Sequence, residues 1–192
     1  MNRRSALFFL LSLILFSFAI KDEGTQPAYY KCGEASKIDN SLFQVQSGKI
    51  YFSFHQSLKP ADLKAKDYFT AYLVNASDSL FNVPRQDDSL IMIQEAINEQ
   101  GEWTPIEHWI SSGCGNSYFS PLKLEAGNYV MIPIKQYKGR YKTKIRLKLR
   151  KKDGTNFYSE PFNASIDKAQ FQKETKNVEG ILYHGPANYL DK

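Results

Sequence analysis

The sequence has few of the residues that build metal and redox centres: its 192 residues include two cysteines, three histidines and two tryptophans. The histidines lie far apart, and no Cys-x-x-Cys or His-Glu-x-x-His spacing occurs. Zinc sites depend on such clustered ligands, so we expect no metal centre. The Gly-x-Ser-x-Gly turn of hydrolases and the glycine-rich loops that bind phosphate are also missing, and we expect no cofactor.

Long hydrophobic runs are absent after residue 20. The apolar run Ala6–Ile20 follows Arg3 and Arg4 and contains Ser17-Phe18-Ala19, whose small residues are typical of a signal peptidase site. At about 1.5 Å per residue this run is too short for the roughly 30 Å hydrocarbon core of a bilayer. We therefore predict a signal peptide over residues 1–19, no transmembrane segment after its cleavage, and a secreted, periplasmic or extracellular location.

The scarcity of cysteine leaves one disulfide to consider. Cys32 and Cys114 are the only cysteines, and an oxidising compartment favours a bond between them. Such a bond closes a loop of about 80 residues and stabilises by roughly 4 kcal/mol in the chain-entropy model. The alternative is a small secreted hydrolase in which Cys114 is the nucleophile and His108 its base, near a glycine-flanked turn.

Positive charge is concentrated in one segment. The chain has 25 basic and 20 acidic residues, and removal of Arg3 and Arg4 with the signal peptide leaves 23 basic residues. Ten of these lie in Lys135–Lys152, which contains no acidic residue. The rest of the mature chain has 13 basic residues against 20 acidic ones, so the composition does not describe a globally basic nucleic-acid binder.

Within that segment the charges alternate with apolar residues. The basic positions of one parity are Arg140, Lys142, Lys144, Arg146, Lys148 and Arg150. The other parity holds Tyr141, Thr143, Ile145, Leu147 and Leu149. A period of two predicts a strand with one aliphatic face buried and six cations exposed on the other.

Two interpretations of the cationic face remain open at this stage. Six cations in a row are suited to an acidic glycan or other polyanion, which they bind with release of counterions. Alternatively, carboxylates of a neighbouring hairpin neutralise them in cross-strand pairs. The candidate carboxylates are Glu95, Glu99, Glu102 and Glu107.

Turn signals at short intervals predict an all-β fold, an antiparallel β-sandwich of about nine short strands. We expect an irregular N-terminal segment over residues 20–47, the β-sandwich domain over 48–173 and a C-terminal tail over 174–192. The pattern is similar to an immunoglobulin-like sandwich, although the tryptophans lie close to Cys114 and not midway between the cysteines. Pro105 and Pro133 fall inside predicted strands, and each indicates an edge or a bulge, since proline donates no ladder hydrogen bond.

Trp103 and Trp109 share a parity around Pro105. They suit either a sugar-stacking or protein-docking patch, or packing in the core. Together these features predict an exported, non-enzymatic binding or structural module. Its candidate partners are an acidic glycan or other polyanion, contacted by the basic strand, or a cell-surface protein.

Overall fold

The computed structural model describes residues 26–55, 67–109 and 119–172. Within these ranges nearly all regular structure is β, which confirms the predicted fold class. The strands are β1 (Gln26–Pro27), β2 (Tyr30–Lys31), β3 (Ser36–Lys37), β4 (Ile50–His55), β5 (Tyr68–Asn75), β6 (Phe81–Val83), β7 (Arg85–Gln86), β8 (Ser89–Leu90), β9 (Met92–Ile97), β10 (Trp103–Pro105), β11 (Glu107–His108), β12 (Leu122–Leu124), β13 (Asn128–Lys135), β14 (Tyr141–Arg150), β15 (Asn156–Tyr158) and β16 (Phe162–Ile166).

Two larger sheets form the body of the fold. The first has the order β10-β9-β14, and β15 and β16 pair with successive parts of the other edge of β14. The second has the order β3-β13-β5-β4. Leu147 and Leu149 of the first sheet meet Leu73 and Ile132 of the second in one hydrophobic cluster. The architecture is therefore sandwich-like, with antiparallel pairs throughout both sheets.

Strand β14 has the alternation that its sequence predicts. Ile145, Leu147 and Leu149 are almost completely buried against the core. Burial of such a side chain contributes about 1.5–3 kcal/mol relative to leaving it exposed. These residues fix which face of β14 is internal, and they turn the intervening basic residues to the opposite face.

The N-terminal segment that we predicted to be irregular contributes to the core. It contains β1, β2 and β3, and Tyr30 and Phe43 are buried. The ring of Phe43 meets that of Tyr72 edge-on, with 5.1 Å between the centroids. The predicted signal peptide (1–19) and the C-terminal tail (174–192) lie outside the described residues. No helix in the described ranges has the length and apolarity needed to cross a bilayer.

Pro105 and Pro133 lie at positions where the sheets do not require a backbone N–H donor. Pro105 belongs to β10, the edge strand of the first sheet. Pro133 is in β13, which pairs with β3 only through Asn128 and Tyr129, so at Pro133 the ladder continues only towards β5. The predicted edge positions are thus confirmed, because the missing N–H of proline is tolerated there.

The predicted disulfide is not seen. Cys32 carries a free thiol, and Cys114 lies outside the described residues. The Cys32 sulfur is half-buried and lies 4.0 Å from Nη1 of Arg85. Burial, the largest influence, raises the pKa of the Cys32 thiol above its usual value.

Candidate functional site

The basic face of β14 divides into two halves. Arg140, Lys142 and Lys144 are exposed, as predicted. Lys148 is only 4% exposed, so the prediction of six exposed cations is wrong at that position. Arg146 and Arg150 are half-buried.

Glu95 neutralises the half of the face that is withdrawn from solvent. In the antiparallel pairing of β9 and β14, Glu95 lies directly opposite Arg146. Its Oε2 is 2.6 Å from Nη2 of Arg146, and its Oε1 is 3.1 Å from Nζ of Lys148. Because Glu95 is 3% exposed, both pairs form away from water, where charges interact more strongly than at the surface. The cross-strand interpretation is therefore confirmed for this half of the strand.

Two aromatic rings further restrict Arg146. Its guanidinium carbon lies 4.4 Å from the ring centroid of Trp103 on β10 and 4.1 Å from that of Tyr158 on β15. A guanidinium held between aromatic faces gains cation–π attraction, and its planar shape suits such stacking. Trp103 therefore packs against the guanidinium of Arg146 and helps to hold it beside Glu95.

Trp109 does not lie on a shared patch with Trp103. It is 6% exposed and packs with Ile91 and Ile93 in a separate small hydrophobic cluster. The proposed two-tryptophan surface is therefore wrong, and Trp109 is a core residue.

The exposed half of β14 faces neutral neighbours. Its partner here is β16, which places Ser165 opposite Lys142 and Asn163 opposite Lys144. Among the described residues, no carboxylate forms an ion pair with Lys142, Lys144 or Arg140. Lys142 and Lys144 are thus available on this side of the sheet, and the exposed Arg140 directly precedes β14.

Lys142 and Lys144 border an open depression with a volume of about 930 Å³. Lys142, Lys144 and Lys138 supply its positive charge, and Ile97 and Ala164 supply apolar surface. Lys138 forms an exposed ion pair with Asp67 at 3.2 Å, which is a weak contact in water. The volume is within the range of small-ligand sites, and the charged residues that line the depression are all cations.

A second buried carboxyl group lies behind one wall of the depression. Glu107 is 1% exposed, and its Oε1 accepts hydrogen bonds from the hydroxyl groups of Tyr30 at 2.5 Å and Tyr137 at 2.7 Å. The backbone N–H of Gln94 donates to Oε2 at 2.7 Å, and its side-chain Nε2 donates to Oε1 at 3.0 Å. Since Tyr137 lines the depression, this network fixes the wall from inside.

Burial sets the ionisation of this network. Desolvation raises the pKa of Glu107 above 4.5, although its four hydrogen bonds oppose the rise. Desolvation and the Glu107 carboxyl group also raise the pKa values of Tyr30 and Tyr137 well above their usual range. Both tyrosines therefore remain hydroxyl donors at physiological pH.

The structure describes His108, one of the two residues of the hydrolase alternative. His108 is 3% exposed, and burial lowers its pKa from 6.5 to about 4, so the imidazole is neutral near pH 7. Its proposed partner Cys114 lies outside the described residues. In the described part of the chain, no group of three potential ligand residues is arranged to hold a metal ion.

The chain matches no protein-family model, no curated protein and no solved structure. The immunoglobulin-like resemblance therefore stays a prediction. Three residues at the depression, Asn163, Ser165 and Tyr137, were not predicted as site residues. A signal existed for the first two, because Phe162, Ala164 and Ile166 alternate with them and indicate a strand.

Proposed function

We propose that the protein is an exported, non-enzymatic binding module that contacts an anionic polymer through Arg140, Lys142 and Lys144. The observation that carries this proposal is the division of the basic strand. Glu95 neutralises Arg146 and Lys148, whereas the exposed Lys142 and Lys144 lie opposite the neutral Ser165 and Asn163 of β16. Solvated cations without an acidic partner are those that contribute to polyanion binding by counterion release.

Strand geometry supports a linear ligand. Side chains two residues apart on a strand are spaced by roughly 6.7 Å on the same face. Lys142 and Lys144 have this spacing on β14, and Arg140 directly precedes the strand, so the three cations follow one line along which an extended chain of negative groups can bind. Each ion pair with a highly charged polymer lowers the logarithm of the binding constant by roughly 0.7–0.9 per tenfold rise in salt.

The test is a salt-dependent titration of the mature protein with heparin. The variant Lys142→Glu/Lys144→Glu is expected to lose at least tenfold in affinity and to reduce the salt slope by about 2, one unit for each cation. The control Lys37→Glu/Lys123→Glu makes the same change of charge at exposed positions on β3 and β12. Equal losses in the two variants would assign binding to net charge alone and contradict the proposal.

Export is a separate part of the proposal. It rests on the apolar run Ala6–Ile20, which follows Arg3 and Arg4 in the sequence. Mass spectrometry of the protein recovered outside the cytoplasm is expected to show an N-terminus at Ile20. Full-length protein retained in the cytoplasm would contradict it.

A further inference from the structure

Neutral hydrogen-bonding side chains accompany the exposed cations. Gln136, Asn163 and Ser165 border the same depression as Lys142 and Lys144. Asn163 and Ser165 lie on the solvent-facing side of β16, because Phe162 and Ile166 pack on its other face. The side chains of Asn163 and Ser165 make no hydrogen bond to another described residue, so their amide and hydroxyl groups are open to a ligand.

The aromatic rings at the depression are engaged by the protein itself. Tyr137 donates to Glu107, and Nζ of Lys135 lies 5.3 Å from its ring centroid. Tyr141 donates to the carbonyl of Ile97 and meets Phe171 edge-on. Single-stranded nucleic acids are held by bases that stack on free aromatic faces. This depression offers cations and hydrogen-bonding groups to a ligand, and its aromatic faces are already in contact with other residues of the protein.

We propose that the ligand of this site is an acidic oligosaccharide, and that Asn163 and Ser165 determine the preference for it. Lys142 and Lys144 pair with its carboxylate or sulfate groups, and the amide of Asn163 and hydroxyl of Ser165 bond to the sugar hydroxyls between them. A polyanion without hydroxyl groups engages only the cations. This inference rests on the proposed polyanion contact and adds a chemical class to it.

Gly139 helps to preform the site. A Cβ atom at this position would overlap the carbonyl group of Ile166 and the backbone nitrogen of Asp167. Only glycine lets the loop before β14 approach the end of β16 so closely. The approach brings the loop that carries Lys138 to the end of β16, and preorganisation of this kind lowers the entropic cost of binding.

The experiment compares three probes with matched numbers of charges: a heparin-derived oligosaccharide, inorganic polyphosphate and a single-stranded oligothymidylate. The variant Asn163→Ala/Ser165→Ala is expected to bind the oligosaccharide about tenfold more weakly, because it loses two hydrogen bonds to the sugar hydroxyls. Its affinity for polyphosphate is expected to match that of the unchanged protein. The control Ser36→Ala/Gln46→Ala alters exposed neutral residues elsewhere and is expected to change neither affinity.

The outcomes separate this inference from the proposed function. If the Asn163→Ala/Ser165→Ala variant binds every probe as tightly as the unchanged protein does, or if the unchanged protein binds oligothymidylate more tightly than the oligosaccharide, the oligosaccharide assignment is overturned and polyanion binding stays intact. Failure of the unchanged protein to bind any probe overturns both. Matching thermal unfolding of all variants establishes that the differences arise at the site.

Discussion

Glu95 and Glu107 are both buried carboxyl groups, yet the protein satisfies them in opposite ways. Glu95 contacts two cations, Arg146 and Lys148. Glu107 accepts hydrogen bonds from neutral donors, among them Tyr30 and Tyr137. The first arrangement keeps charge in balance by pairing, whereas the second spreads one charge over hydroxyl and amide dipoles.

The two regions lie on opposite sides of β9. Successive residues of a strand point to opposite faces, so Gln94 reaches Glu107 while Glu95 meets β14. Of these two carboxyl groups, Glu95 is therefore the one that pairs with cations of the basic strand. The exposed cations owe their availability to this division, since a second carboxylate on the outer face would reduce the positive field.

We predict the largest loss of stability for a substitution at Glu95. Glu95→Gln removes the carboxylate from beside Arg146 and Lys148 and leaves two like charges close together at a buried position. Removal of one partner from a buried ion pair costs about 3–5 kcal/mol. Urea denaturation of the variant is expected to show a loss of that size in the free energy of unfolding.

Glu99→Gln is the matched control. Its partner Lys168 and Glu99 itself are both exposed. Exposed pairs contribute about 0–1 kcal/mol. A loss at Glu99 as large as that at Glu95 would show that burial does not distinguish the two pairs.

The second prediction concerns Glu107, where a nonpolar replacement leaves donors without an acceptor. Glu107→Leu deprives Tyr30, Tyr137 and the backbone of Gln94 of their shared partner. Each unsatisfied buried donor costs about 1–3 kcal/mol, but both hydroxyl groups can reorient, so we expect about 3 kcal/mol in total from urea denaturation. Tyr137→Phe removes one donor and keeps the acceptor, and is expected to cost about 1 kcal/mol. A Tyr137→Phe loss equal to that of Glu107→Leu would argue against a shared network.

The basic strand could be predicted from sequence because its signal is local. Alternation over ten residues identifies both the strand and its buried face, and no distant contact is needed for that inference. The partner of each cation depends instead on the register between β9 and β14. A slip of one residue would turn Glu95 to the other face, and no local pattern fixes that register.

The neutral side of the site was missed for a different reason. β16 is only five residues long and follows Pro161, and a proline at that position is equally compatible with the end of a strand. Its Asn163 and Ser165 carry no charge and match no motif, so they gain meaning only from their position opposite Lys144 and Lys142. The role of Glu107 was equally hidden, because the chain brings Tyr30 to it across 77 positions.

The third prediction extends the comparison to pH. The folded-state pKa of Glu107 is raised above 4.5, so its contribution to stability is present at low pH and is lost as pH rises through that pKa. His108 has the opposite sign: its pKa falls from 6.5 to about 4 on folding, so stability is lost as pH falls through this range. The two slopes oppose each other from pH 4.5 up to the folded-state pKa of Glu107.

Single variants are expected to separate these slopes in urea midpoints measured across that range. Glu107→Gln should steepen the loss of stability on acidification, because only the His108 contribution remains. His108→Gln should weaken or reverse it. Parallel pH profiles for the two variants would mean that neither group is linked to folding in the way its burial implies.

We predict the smallest change in stability for substitutions in the exposed half of β14. This half is compared with the buried half, where Glu95 pairs with Arg146 and Lys148. Lys142→Met/Lys144→Met removes two cations that are solvated and lie opposite neutral residues, so no charge is left uncompensated. Surface substitutions of this kind usually change the free energy of unfolding by less than about 0.5 kcal/mol. Loss of polyanion affinity without loss of stability would assign these lysines to ligand contact, because a residue that only supported the sheet would affect both measurements. A destabilisation approaching that of Glu95→Gln would mean that the two halves of the strand are not energetically distinct.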